Sequence, residues 1–146
     1  MHLVNQHSRA SADRHVRRIR RHYRKRRDTV IEALRREIPD AVAEGYAAGL
    51  HLMLRLPKHV DEARYIAAAA EHGVAVLGVS QMYGAQPPRP GVIIQYGRTT
   101  PSMLEEAAKR LGTAVTAVRN AQWVSRPPRQ GDPATQRRPS TAADYF

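Results

Sequence analysis

Cysteine is absent from this sequence, aromatic residues make up only 5% of its 146 positions, and no apolar run comes near the length of a membrane span. Without thiols there is neither a disulfide framework nor a thiolate zinc site, and the usage fits a reducing interior. The seven histidines (His2, His7, His15, His22, His51, His59 and His72) are scattered. No two of them sit four residues apart around a carboxylate, as a helical zinc site requires, so no metal site is expected. A bilayer span takes about 20 consecutive apolar residues, and no long apolar stretch follows the N-terminal charges. The expectation is a cytoplasmic protein with no membrane partner.

Positive charge, by contrast, is abundant. Lys and Arg number 24 against 13 Asp and Glu, a formal net charge of +11. Such an excess favours a polyanionic partner, because phosphate contacts release counterions. Yet the charge is concentrated between Arg14 and Arg27 and beyond Ser125, so it belongs to two segments rather than to the whole fold. With 42% hydrophobic residues the chain can bury the core of one compact domain.

From Asp13 to Ile38 the residues Val16, Ile19, Tyr23, Val30, Ile31, Leu34 and Ile38 recur at helical spacing along an otherwise charged rod. Ser11 or Asp13 would cap its start and Pro39 would end it, leaving residues 1–12 as an unstructured lead. Residues 41–49, with Gly45 and Gly49, suit a loop or a short edge strand. Leu50 to Leu56 alternates strictly, its four leucines on one face and His51 and Met53 on the other, which predicts a half-buried strand stopped by Pro57. Asp61 opens a second helix that runs through four alanines to His72, and Gly73 supplies its stop.

Val74 to Val79 reads as a strand apolar on both faces, and Tyr83 to Gly91 as a proline-rich loop. Val92 to Tyr96 is a further strand. Thr100 caps the last helix with Pro101 in its first turn. Its buried face holds Leu104, Ala107, Ala108, Leu111, Val115 and Val118, and Trp123 is expected to close it against the core. Beyond Ser125 the chain turns to proline, arginine, glutamine and threonine, so residues 125–146 read as a disordered basic tail. The domain is residues 13–124. Its order of elements implies an α/β fold of two layers, an α+β sandwich with helices on one face of a small sheet.

Four stretches carry a likeness: His15-Val16-Arg17-Arg18-Ile19-Arg20-Arg21 through Arg26-Arg27-Asp28; Ala48-Gly49-Leu50-His51-Leu52-Met53-Leu54; Gly73-Val74-Ala75-Val76; and Pro90-Gly91-Val92-Ile93-Ile94-Gln95-Tyr96-Gly97. In their order and spacing, the run from Asp13 to Leu111 resembles the C-terminal small domain of fold-type I pyridoxal-phosphate aminotransferases (class I/II). The likeness is strongest to the version in MocR-type regulators of the GntR family, which fuse a winged-helix DNA-binding domain to an aminotransferase-like domain. No single stretch is a catalytic signature.

The resemblance implies a mostly antiparallel sheet and, in the intact family, pyridoxal 5'-phosphate as cofactor. It also implies a large aminotransferase domain or a homodimer as partner, and a role in transcription regulation. The family's Schiff-base lysine lies in a Ser-Lys motif of the large domain, upstream of the matched part. Lys25, Lys58 and Lys109 have no such setting, and the aspartate that meets the pyridine nitrogen has no counterpart. No catalytic residue, no transaminase activity and no cofactor binding are expected of this chain alone. Many aminotransferases clamp the substrate carboxylate with an arginine that makes a planar two-point contact. That position falls at Ile93, leaving Arg98 and Arg89 as substitutes, against the plainer reading of solvated loop arginines. The strand holding His51 runs toward the active-site side in that family, and Tyr83 lies in the loop that would line the cleft.

Other readings stay open. Arg17, Arg18, Arg21, Arg24 and Lys25 recur at helical spacing and are candidates for non-specific nucleic-acid binding. Tyr23 is the one aromatic among them, no winged-helix pattern is present, and a merely solvated face is the competing reading. The chain could also dock onto a separately encoded large domain. The unrelated tail and the missing large domain together suggest a truncated reading frame.

Overall fold

The computed structural model describes residues 4–45, 50–83 and 89–125, and among them are four helices and four strands. Their order is α1 (Val4–Glu37), β1 (Val42–Gly45), β2 (His51–Arg55), α2 (Glu62–Glu71), β3 (Leu77–Gly78), α3 (Ser80–Tyr83), β4 (Gly91–Gln95) and α4 (Pro101–Val124). The strands form one sheet in the order β1-β2-β4-β3, antiparallel throughout. The two-layer α/β architecture expected from the sequence is the one found.

Alternation in β2 and β4 builds the interior. Leu52 pairs with Ile94 and Leu54 with Val92, and all four point into one cluster with Val30 and Leu34 of α1, Tyr65 and Ala69 of α2, and Leu104, Leu111 and Val115 of α4. Tyr65 donates its hydroxyl hydrogen to the Leu111 carbonyl at 3.3 Å, so this phenol is satisfied inside the core. Burial pushes the Tyr65 hydroxyl well above the ordinary tyrosine pKa. Tyr96 is raised too, first by burial, with Arg27 pulling it down and Asp28 pushing it up.

The helix ends follow their local chemistry. Asp61 caps α2 by accepting from the Arg64 amide at 2.8 Å, and Thr100 caps α4 by accepting from the Met103 amide at 3.3 Å. Gly73 ends α2 with φ +78, a left-handed conformation in which any Cβ is strained.

Four expectations are corrected. The first helix begins at Val4, so the lead is helical from there and Ser11 and Asp13 lie inside the helix rather than capping it. Residues 4–12 hold neither glycine nor proline, and nothing in them breaks a helix once it is running. The strand expected over Val74–Val79 is only Leu77–Gly78, because the Val74 amide is still tied to the Ala69 carbonyl at 2.9 Å and the chain reaches β4 late. A single helical turn, α3, precedes the expected loop and takes only its first residue, Tyr83. Trp123 is 75% exposed and does not close the core, and Val118 is the last residue of α4 in the core cluster. The expected tail lies outside the described residues from position 126 on.

Helix α1 is two different objects. Its C-terminal part supplies Val30, Ala33 and Leu34 to the core, whereas residues 7–22 are exposed all round. Leu34→Ala is therefore expected to cost about 2–5 kcal/mol in urea unfolding. Val16→Ala should stay within about 0.5 kcal/mol. Equal losses at both positions would contradict this division of the helix.

Candidate functional site

The sheet face turned away from the main core is built, among the described residues, mostly from strands. The register places His51, Met53 and Arg55 of β2 there, opposite Gln95, Ile93 and Gly91 of β4. Leu77 of β3 lies across from Ile93, and Glu44 of β1 across from Met53. Met53, Ile93 and Val79 make a small buried cluster separate from the main core. On the β1–β2 side the rim is polar, with His51 and Gln95 exposed and Arg55 donating to Glu44 at 3.0 Å, whereas on the β3 side it is the exposed Leu77.

One carboxylate organises the border of this face. Glu62, at the start of α2, accepts through Oε1 from the Ser80 amide at 3.1 Å and from the Ser80 hydroxyl. Its Oε2 accepts from the Gly91 amide at 3.0 Å. The Val79 amide donates to the Gly91 carbonyl at 2.9 Å, so both ends of the 79–91 segment are pinned together beside the Met53–Ile93 cluster. Gly78 makes room for this arrangement, because a Cβ there would collide with the Glu62 carboxylate. Sequence reading missed Glu62. Its partners lie 18 and 29 residues away, and no local pattern distinguishes a helix-start glutamate that reaches inward from one that is solvated.

The residues singled out in the sequence are dispersed. Ile93, where the carboxylate clamp was expected to fall, sits in the centre of the apolar cluster. Arg89 and Arg98 are exposed beyond opposite ends of β4, a strand about 13 Å long at roughly 3.3 Å per residue. They do not converge on one point of the face. The Tyr83 side chain lies outside the described part of the structure. Arg17, Arg18, Arg21, Arg24 and Lys25 are all exposed on α1. At about 100° per residue they share one side of it. Among the described residues no cluster of three or more His, Asp or Glu could hold a metal ion. No helix among them is long and apolar enough to cross a membrane.

Pyridoxal phosphate needs an amine for its aldehyde and an acid for its ring nitrogen. Lys25 is exposed on α1, Lys58 in the turn after Pro57 and Lys109 on α4, none of them on the open sheet face. Glu44, across from Met53, is already paired with Arg55. The residues described do not fit the cofactor.

No protein-family model matches the sequence. The uncharacterized HTH-type transcriptional regulators YhdI and YdeL of Bacillus subtilis (strain 168) are 37% and 33% identical over 102 residues, 69% of this chain and 22% of each regulator. The probable rhizopine catabolism regulatory protein MocR of Rhizobium meliloti is 27% identical over 108 residues, 73% of this chain and 22% of that protein. The chain is a homologue of the MocR-type regulators. It spans about a fifth of their length, so they carry a larger part beyond the matched segment.

Two solved aminotransferases share the fold of this chain. The α-aminoadipate aminotransferase LysN of Thermus thermophilus, complexed with N-(5'-phosphopyridoxyl)-L-leucine, superposes with a TM-score of 0.69 at 21% identity, covering 82% of this chain and 31% of that one. The multiple substrate aminotransferase of Thermococcus profundus gives 0.69 at 19% identity, over 78% and 28%. The architecture is that of part of an aminotransferase, the small-domain fold.

The Glu62 bracket is open to direct test. In Glu62→Ala the Ser80 and Gly91 amides should exchange with solvent roughly tenfold faster or more. Glu62→Gln should spare one of them, because its amide nitrogen cannot accept. Unchanged protection of both amides in Glu62→Ala would show that the carboxylate does not hold the segment.

Proposed function

We propose that this chain is the small-domain part of an aminotransferase-like ligand-sensing unit of a cytoplasmic MocR-type regulator, and that it has no transaminase activity by itself. The observation that carries the reading is Ile93. On the open face of the sheet, where the resemblance implies a guanidinium for a substrate carboxylate, this chain has an aliphatic side chain packed on Met53 and Val79. That face offers van der Waals surface and a polar rim rather than a two-point charged clamp.

The same face limits what the residues can do. Met53, Ile93 and Val79 form a wall that excludes water from whatever lies against it, and an apolar part of a ligand suits that wall better than a carboxylate does. Glu62 ties Ser80 to Gly91 and so holds Val79 of the wall in place. Neither action breaks a bond. The lysine, the ring partner and the phosphate cradle would come from a large domain, consistent with relatives in which the matched segment is 22% of the length. The relatives' description as transcriptional regulators supports sensing over metabolism, and the basic side of α1 plays no part in this reading.

Titration of the purified chain with pyridoxal phosphate, followed by the absorbance of the Schiff base, tests the proposal. Only weak, non-saturating imine formation spread over Lys25, Lys58 and Lys109 is expected. A saturable imine at one of these lysines, persisting when the other two are replaced, would restore an active site to the chain and overturn the reading.

A further inference from the structure

The first half of α1 is an amphipathic surface with none of the described residues packed over it. The apolar stripe buried at Val30 and Leu34 continues through Tyr23 to Ile19 and Val16, where exposure rises to 37% and 45%. At about 100° per residue these five residues lie on one side of the helix, and Arg17, Arg21 and Arg24 lie on the other. Flanking the stripe are Arg9, Arg20 and Arg27 along one edge and Arg26, which stacks on Tyr23 with 6.0 Å to the ring centroid, along the other.

Standing alone, this half is a poor helix. It lacks the tertiary packing that stabilises most protein helices. From Val4 to Arg27 it holds nine arginines and Lys25 against the single acid Asp13. Arg14 with Arg18, Arg17 with Arg21 and Arg20 with Arg24 set like charges four residues apart, and each such pair opposes helix formation. Order here calls for a partner that supplies negative charge and covers the stripe. A second copy would bring the same cations against the first. A nucleic acid would follow the arginine side and leave Val16 and Ile19 bare.

We infer that residues 7–23 of α1 dock as a helix onto an acidic protein surface that carries an apolar ridge between its carboxylates. The inference rests on this helix and not on the sheet face, so its failure would leave the small-domain reading standing.

The full chain is titrated with three labelled probes, read by fluorescence anisotropy and by far-ultraviolet circular dichroism. The probes are a synthetic amphipathic helix of glutamate and leucine, the same peptide with serine for leucine, and a short DNA duplex of mixed sequence. The Glu/Leu peptide is expected to bind and to raise helicity. The pair Val16→Ser and Ile19→Ser is expected to weaken it by roughly tenfold or more, while the urea midpoint of the chain holds. The serine peptide and the duplex should bind more weakly and ignore those substitutions. Equal binding of the serine peptide, tighter binding of the duplex, or no loss on removing Val16 and Ile19 would reduce α1 to a non-specific cationic patch. Absence of Glu/Leu binding at low salt would equally overturn the docking surface.

Discussion

The antiparallel pairing of β2 with β4 decides what every other part of the molecule faces. With Leu52 opposite Ile94 and Leu54 opposite Val92, these four aliphatic side chains go to the helices. The same register sends Met53 and Ile93 to the open face. Side chains alternate with period two, so a slip of one residue would exchange these sets. Leu52 and Leu54 would then stand bare, and His51 and Arg55 would be pressed into the interior without partners. Helices α1, α2 and α4 can share one core only because this register gives them a continuous aliphatic floor.

Much of this is legible in the sequence because it is periodic or local. The strict alternation around Leu52 and Leu54, the caps at Asp61 and Thr100 and the stop at Gly73 are short-range signals, and the structure has each of them in place. The start of α1 is not legible in the same way, because Ser11 and Asp13 cap a helix only where the preceding chain leaves helical geometry, and residues 4–12 give it no reason to leave. The reach of β3 depends on where the chain turns after α2, which is a matter of three-dimensional path. Trp123 misleads because a large aromatic after a periodic run looks like a core residue, whereas burial requires something opposite it.

The candidate site is less legible than the fold for the same reason. Strand parity places His51 and Met53 on the face opposite the leucines. It cannot show that Met53 meets Ile93 and Val79 from distant parts of the chain, nor that Glu62 ties the ends of the 79–91 segment beside them. The arginines that sequence proximity offers, Arg89 and Arg98, lie beyond opposite ends of a strand and never meet. Relationship to MocR-type regulators and the small-domain fold set the context for this face.

The central claim is the register, and it is tested most directly by placing a charge on each face in turn. Val92 is fully buried on the helix side, whereas Ile93 stands on the open face across from the exposed Leu77, past which a long side chain could extend its charge into water. Urea unfolding of Ile93→Arg and Val92→Arg is the measurement. A folded Ile93→Arg protein with a loss of about 1–3 kcal/mol is expected, and a Val92→Arg protein that fails to fold cooperatively. The reverse order of damage would mean that the helices lie on the other face, and the reading of the site would fall with it.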